Sequence, residues 1–204
     1  MCCGTETNHE ISYGAVFDKS TAISRAIAQS SSTASVASSN SIQCTNVALP
    51  RCTALPIALL GVVKSGHAYW AVDLTLQSPA VVVRNRERLD CRCVIADAVA
   101  MGVLYPKGLP IGVLGIVVNP SSGEIERTVP GTIPSIPVED HLRIHCPSGT
   151  MYLEFTSGST GQPKAVAVPH SCGISLCRNS AAIFKCVVRR WLRCWGLDSW
   201  HRSN

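Results

Sequence analysis

Apolar positions recur along this chain at two different spacings, and the alternation between them predicts layers of helix and strand. Between Ile11 and Gln29, Val16, Ile23 and Ile27 recur at helical spacing with Asp18, Lys19 and Arg25 between them, so the ordered part begins with a helix. Ser30–Ser41 holds seven serines in twelve residues and offers little to bury, which reads as a loop. Val47–Leu49 suits a short buried strand closed by Pro50. Ala54–Lys64 suits an apolar helix that carries Pro56 in its first turn, where a missing N–H costs least, and that is broken by Gly66. Tyr69–Val72 and Val94–Ala96 read as further strands, and Arg84–Leu89 as the charged end of a surface helix. Frequent glycine and proline from Gly102 to Gly149 predict mostly connections there, with Val113–Val118 the one good strand. Tyr152–Phe155 then reads as a strand, Ala165–Val168 as its return strand and His170–Phe184 as a helix. The alternation predicts an α/β fold, and no internal repeat is visible.

Composition narrows the class. With 204 residues, 46% of them hydrophobic, the chain suits one domain or a large piece of a bigger one, and disorder is not the expectation. The longest apolar runs, Leu55–Val63 and Leu109–Val118, fall short of the roughly 20 residues that cross a bilayer, and each contains a proline. The opening residues Met1–Glu6 have neither a basic region nor a following apolar stretch, so a secretory signal is not expected and a cytoplasmic location is. There are eleven cysteines, odd in number and irregular in spacing, and most of them are expected to be reduced, buried thiols. Cys91 and Cys93, with His141, His145 and Cys146, are zinc's preferred ligand types, but neither pair has finger spacing. Core cysteines and surface histidines are expected instead, with no metal site.

The net charge of +5 is not spread evenly. Residues 1–177 hold twelve basic and twelve acidic side chains, whereas residues 178–204 hold Arg178, Lys185, Arg189, Arg190, Arg193 and Arg202 against Asp198 alone. Trp191, Trp195 and Trp200 lie in the same tail. Interleaved Arg and Trp can stack on bases or sit on an anionic membrane. The abrupt shift reads better as a change of reading frame or a mis-spliced exon, so neither a nucleic-acid nor a membrane partner is expected.

The segment that carries chemistry is Phe155–Lys164, Phe-Thr-Ser-Gly-Ser-Thr-Gly-Gln-Pro-Lys, set between two apolar strands. Glycines let the backbone approach a phosphate and aim N–H groups at it, hydroxyls donate hydrogen bonds, and a lysine adds a mobile positive charge. Such a loop would bind a triphosphate and stabilise charge developing on departing pyrophosphate. Its spacing, Gly158-x-x-Gly161-x-x-Lys164, is not that of a Walker-type loop, which needs a four-residue gap and an adjacent Gly-Lys-Ser/Thr.

Leu153–His170 resembles the core signature of the adenylate-forming (AMP-binding) superfamily of acyl-CoA synthetases, luciferases and adenylation domains of nonribosomal peptide synthetases. Its members share a Thr-Ser-Gly-Ser/Thr-Thr-Gly-x-Pro-Lys-Gly loop followed by a histidine. Ala165 stands where the family has its last glycine. Leu59–Asp73 is similar to the Leu-Lys-Ala-Gly-Gly-Ala-Tyr-x-Pro-Leu-Asp segment of peptide-synthetase adenylation domains, with His67 in place of a glycine and Ala71 in place of a proline. Ile11-Ser12-Tyr13 resembles the family's opening Leu-Thr-Tyr.

The resemblance covers roughly residues 11–188 and implies the N-terminal part of an adenylation domain, incomplete in this chain. It divides the chain into an N-terminal extension (1–10), the partial domain (11–188) and a divergent basic tail (189–204). It implies ATP-dependent activation of a carboxylic acid, most simply an amino acid, as an acyl-adenylate in nonribosomal peptide or other secondary-metabolite biosynthesis. Thr156, Ser157, Ser159 and Thr160 would bind phosphates, Gly158 and Gly161 would allow close approach, and Lys164 would be the catalytic cation. ATP and Mg2+ are the implied cofactors, with phosphopantetheine only on a separate carrier domain. The implied partners are the carboxylate substrate and a carrier protein or intact synthetase. The family's later motifs for amine, adenine, magnesium and ribose lie beyond the end of this sequence, which predicts an inactive chain when alone. A non-catalytic remnant that binds nucleotide or an intact synthetase, and a fragment of an acyl-CoA synthetase, are the competing readings.

Overall fold

The computed structural model describes residues 10–31, 42–133, 144, 146–156 and 163–184. The described elements follow in the order α1 (Tyr13–Ser31), β1 (Cys44–Ala48), α2 (Ala54–Lys64), β2 (Ala68–Val72), α3 (Pro79–Arg88), β3 (Cys93–Ala96), α4 (Ala98–Leu104), β4 (Leu114–Val118), β5 (Ile125–Pro130), β6 (Thr150–Thr156), β7 (Lys164–Pro169) and α5 (His170–Phe184). The strands form one sheet in the order β5-β4-β3-β1-β2-β6-β7. Its five central strands run parallel, and β5 and β7 return antiparallel at the two edges. This is the expected α/β class.

Strand alternation sends successive side chains to two different cores, which is why the central strands carry apolar residues on both faces. On one face Val47, Ile95, Ile116 and Val118 meet Ile23 and Ile27 of α1 and Ile57, Ala58 and Val62 of α2. On the other, Trp70, Val94 and Val117 meet Val82 of α3 and Ala100, Met101 and Leu104 of α4. The sheet is therefore sandwiched between helices. α1 and α2 touch closely at Gly61, where a Cβ would stand 2.7 Å from Ile23 Cγ2. Gly66, at φ +80°, turns the chain from α2 into β2 in a conformation that side chains rarely adopt.

Several boundaries and two whole elements depart from the sequence reading. β1 starts at Cys44 rather than Val47, because it pairs with β2 from its first residue and its polar side chains each find a partner there, although the buried Asn46 Oδ1 has none among the described residues. Asn46 Nδ2 donates to Trp70 O at 3.2 Å, and Thr45 Oγ1 lies 3.0 Å from His67 Nδ1. α3 is a full helix whose start is set by Ser78 as N-cap and by Pro79 in the first turn. Its charged end is not all surface: Arg86 is buried, with Nη1 donating to Cys91 O at 3.1 Å.

α4 and β5 both lie in or beside the stretch expected to be connections. α4 is started by Asp97, whose Oδ1 accepts from Ala100 N at 2.7 Å. β5 forms a hairpin with β4 through a turn in which Asn119 Oδ1 accepts from the backbone N–H groups of Ser121 and Ser122. α1 continues through Ser30 and Ser31, the first two residues of the expected serine-rich loop, while the rest of that loop, 32–41, and the basic tail at 189–204 lie outside the described residues.

Candidate functional site

The parallel strands β1, β2, β3 and β6 all end at the same edge of the sheet, where open α/β sheets present their binding residues. β6 carries the chain to this edge at Thr156, and β7 leaves it from Lys164. The two residues are directly paired across the mouth of the hairpin, where Thr156 Oγ1 donates to Lys164 O at 3.5 Å. Both side chains are exposed. A hydroxyl and an ammonium are thus presented side by side to solvent, which suits an anionic ligand.

Of the residues expected to bind nucleotide, Thr156 and Lys164 are the two that the structure describes. Ser157, Gly158, Ser159, Thr160 and Gly161 lie outside the described residues. His170, the histidine that follows the loop in the motif, is carried along β7 to the other end of the sheet, where its N–H bonds Gly149 O at 3.0 Å and α5 begins. It does not join Lys164.

Asp73, the last residue of the Leu59–Asp73 segment, reaches the same edge as Thr156: each lies four residues beyond the Tyr69–Tyr152 pairing of β2 with β6. Its Oδ1 accepts from Thr75 N at 2.9 Å and Thr75 Oγ1 at 2.7 Å. Those hydrogen bonds hold its carboxyl below the usual range, and the Arg51 charge adds to the effect. Arg51 follows β1 and so brings a further cation to this edge. Asp97, after β3, is committed to capping α4.

Among the described residues four cysteines are core, whereas Cys52 is half-buried and Cys172 and Cys177 on α5 are exposed, against the expectation of buried thiols. Cys44, Cys91, Cys93 and Cys146 are buried, and burial pushes the Cys93 thiol well up. Cys91 and Cys93 belong to the cores on opposite faces of the sheet, so they do not converge. His141 and His145 lie outside the described residues. Among the described residues no group of three His, Cys, Asp or Glu is placed to hold a metal ion, and no helix is long and apolar enough to cross a membrane.

The family model of the AMP-binding enzymes matches residues 5–197. The chain is 27% identical over 154 residues to a dimodular nonribosomal peptide synthase of Bacillus subtilis, covering 76% of this chain and 6% of that protein. It is 32% identical over 119 residues to the D-alanine–D-alanyl carrier protein ligase of Bacillus cytotoxicus, covering 58% of this chain and 21% of the ligase. Among solved structures, the fold matches the nonribosomal peptide synthetase FmoA3 with a TM-score of 0.60 at 18% identity, over 88% of this chain and 16% of that one. FmoA3 has also been solved in an α-methyl-L-serine-AMP bound form, which the chain matches with a TM-score of 0.56 at 19% identity. The chain therefore spans a small part of each of these proteins.

Proposed function

The chain belongs to the AMP-binding enzyme family, and on that premise we propose that its β6–β7 hairpin is the phosphate grip of an amino-acid-activating site in nonribosomal peptide synthesis. The observation that carries this reading is the pairing of Thr156 with Lys164 at the end of the sheet where the parallel strands finish. Lys164 would neutralise the phosphates of ATP and the charge that develops on departing pyrophosphate, and the Thr156 hydroxyl would turn from its long bond to Lys164 O to donate to the same group. Ser157, Ser159 and Thr160 would add hydroxyl donors, and Gly158 and Gly161 a close backbone approach, as the family pattern implies.

The two described residues fit a triphosphate: one cation and one hydroxyl, both exposed, and among the described residues no carboxylate is paired to either. Mg2+ ordinarily binds through one or two carboxylates together with substrate phosphates, so it requires no protein cage. The carboxylate activated would be an amino acid, which is supported by the relative that ligates D-alanine and by the structure holding α-methyl-L-serine-AMP. The acceptor would be the thiol of a carrier protein's phosphopantetheine, supported by the carrier-protein ligase.

Direct titration with ATP tests the grip. Lys164→Ala removes a charged hydrogen-bond donor worth about 1.5–3 kcal/mol and should weaken binding by roughly ten-fold or more. Lys107→Ala, an exposed lysine outside the motif, should leave affinity unchanged. Equal affinity of the wild type and Lys164→Ala refutes the assignment.

A second reading, a non-catalytic chain that binds nucleotide or associates with an intact synthetase, is favoured by the exposed apolar side chains Val166 on β7 and Leu176 on α5. Amino-acid-dependent exchange of labelled pyrophosphate into ATP separates the two. Exchange supports the activating enzyme, and ATP binding without exchange supports the second reading.

A further inference from the structure

The phosphate-gripping hairpin is attached to the body of the sheet in an unusual way. β1 pairs with β2 along its whole length, from Cys44–Ala68 to Ala48–Val72, and β3 pairs with β1 and β4 at every residue of its own length. β2 and β6, by contrast, are paired at Tyr69–Tyr152 alone. β6 and β7 are themselves paired from Thr150–Pro169 to Thr156–Lys164, so the hairpin is a coherent ribbon held at one backbone position. A ribbon held at one point can tilt, and the seam's backbone hydrogen bonds do not fix that tilt.

Leu153, one residue past that position, is buried in the same core as Trp70, and two aromatic contacts cross the seam, one on each face. Tyr69 and Tyr152 stack at 5.4 Å between ring centroids, with 15° between their planes. They are the paired residues themselves, so their contact sits at the pivot and has no leverage over the tilt. Trp70 and Phe155 meet edge-on at 5.2 Å and 62° on the opposite face. Phe155 lies three residues beyond the pivot, about 10 Å along the strand at the usual rise, and it is the neighbour of Thr156. Trp70 is 1% exposed and embedded in the core with Val72 and Val82, so it is the fixed member of the pair. Phe155 is the half-buried, movable member.

We infer that Trp70 is the positioning residue of the candidate site, setting the pitch of the β6–β7 hairpin through the Phe155 ring and thereby the placement of Thr156 and Lys164 toward a phosphate. This role rests on the nucleotide reading proposed above. A displacement of Phe155 is passed on, slightly amplified, to Thr156 and Lys164 at the end of the lever, and errors of about 1 Å in the placement of binding groups can cost a hundred-fold in rate. The edge-on geometry is also directional, so an aromatic ring is required and apolar bulk alone does not replace it.

The test compares Trp70→Leu, Trp70→Phe and Phe155→Leu in two measurements, ATP affinity by calorimetry and amide hydrogen exchange. Phe155→Leu removes the same contact from its half-buried side, which keeps the test intact if Trp70→Leu does not fold. Loss of the ring contact should weaken ATP binding at least ten-fold and speed exchange at Leu153–Thr156 and Ala165–Ala167, with β1 and β3 amides unchanged. Trp70→Phe should stay within about three-fold of the wild type in both measurements, a rescue that a purely space-filling role would not produce. Wild-type affinity in a folded Trp70→Leu or Phe155→Leu protein overturns the inference, as does a Trp70→Phe protein as weak as Trp70→Leu. If the wild type binds no ATP, it is the nucleotide reading that fails. Exchange in the hairpin then decides the positioning separately, and unchanged protection in both leucine variants refutes it.

Discussion

Gly61→Ala is a small change with a large expected penalty, because the space a methyl group needs is already filled. A Cβ at position 61 would lie 2.7 Å from Ile23 Cγ2, 2.8 Å from Ile23 Cβ and 2.9 Å from Ser20 O, against ordinary carbon contacts of about 3.5–4.0 Å. Ile23 is fully buried and β-branched, so its helical rotamer leaves it little freedom to swing away, and Ser20 O belongs to the backbone of α1. α1 and α2 must therefore part by something near 1 Å along their contact. Overpacking of this kind costs about 1–3 kcal/mol, and replacing a mid-helix glycine by alanine returns about 1 kcal/mol. Three approaches under 3.0 Å, one of them to backbone, put the cost near the top of that range, so the net loss should be about 2 kcal/mol. Urea denaturation followed by circular dichroism should show a lower midpoint with an unchanged slope. In an Ile23→Ala background the Cγ2 contact is gone while those to the Cβ of residue 23 and to Ser20 O remain, so the penalty of Gly61→Ala should fall, but only in part. A midpoint that does not move, or an equal penalty in both backgrounds, would refute the packing argument.

The remaining expectations are simpler. Asp97→Ala should destabilise the fold by about 1 kcal/mol, because the Asp97 cap accepts at 2.7 Å; Ser78→Ala should cost less, its cap bond being 3.4 Å, and thermal melting of the two variants orders them. Burial lowers the pKa of His67 below its usual value, so between the folded and unfolded pKa values the unfolded chain binds more protons and stability falls as pH drops below about 6.5. His67→Gln should flatten the dependence of the urea midpoint between pH 7 and pH 5, and an unaltered slope would show that other groups carry it.

The sequence showed most of the layers but not their edges. α2 was legible because its apolar run ended at Gly66, and β3 and β4 because burial on both faces leaves continuous apolar stretches. The start of β1 was hidden by Thr45 and Asn46, polar residues whose partners lie on the next strand and the turn before it. α4 was hidden in a different way: its seven residues hold Gly102 and no charge, so no helical periodicity shows, although the Asp97 cap was a local signal that it was there. β5 presents mostly exposed residues, and what makes it a strand is its pairing with β4.

The candidate site divides along the same line. A phosphate loop is a local device: glycines, hydroxyls and a lysine must follow one another at short spacing for the backbone to fold around an anion, so the string from Thr156 to Lys164 could be read from sequence alone. Where that string is held is a non-local matter. It depends on the pairing of Tyr69 with Tyr152, between residues far apart in the chain, and on the ring of Trp70, which in sequence is merely one apolar residue in a strand. The same pairing brings Asp73 and Thr156 to one edge and, through the reversal of β7, sends His170 to the other. Two residues of one motif are thus separated by the length of a strand, while residues from two separate segments become neighbours. For this reason a motif identifies the ligand's chemistry, and the sheet register decides which further residues take part in holding it.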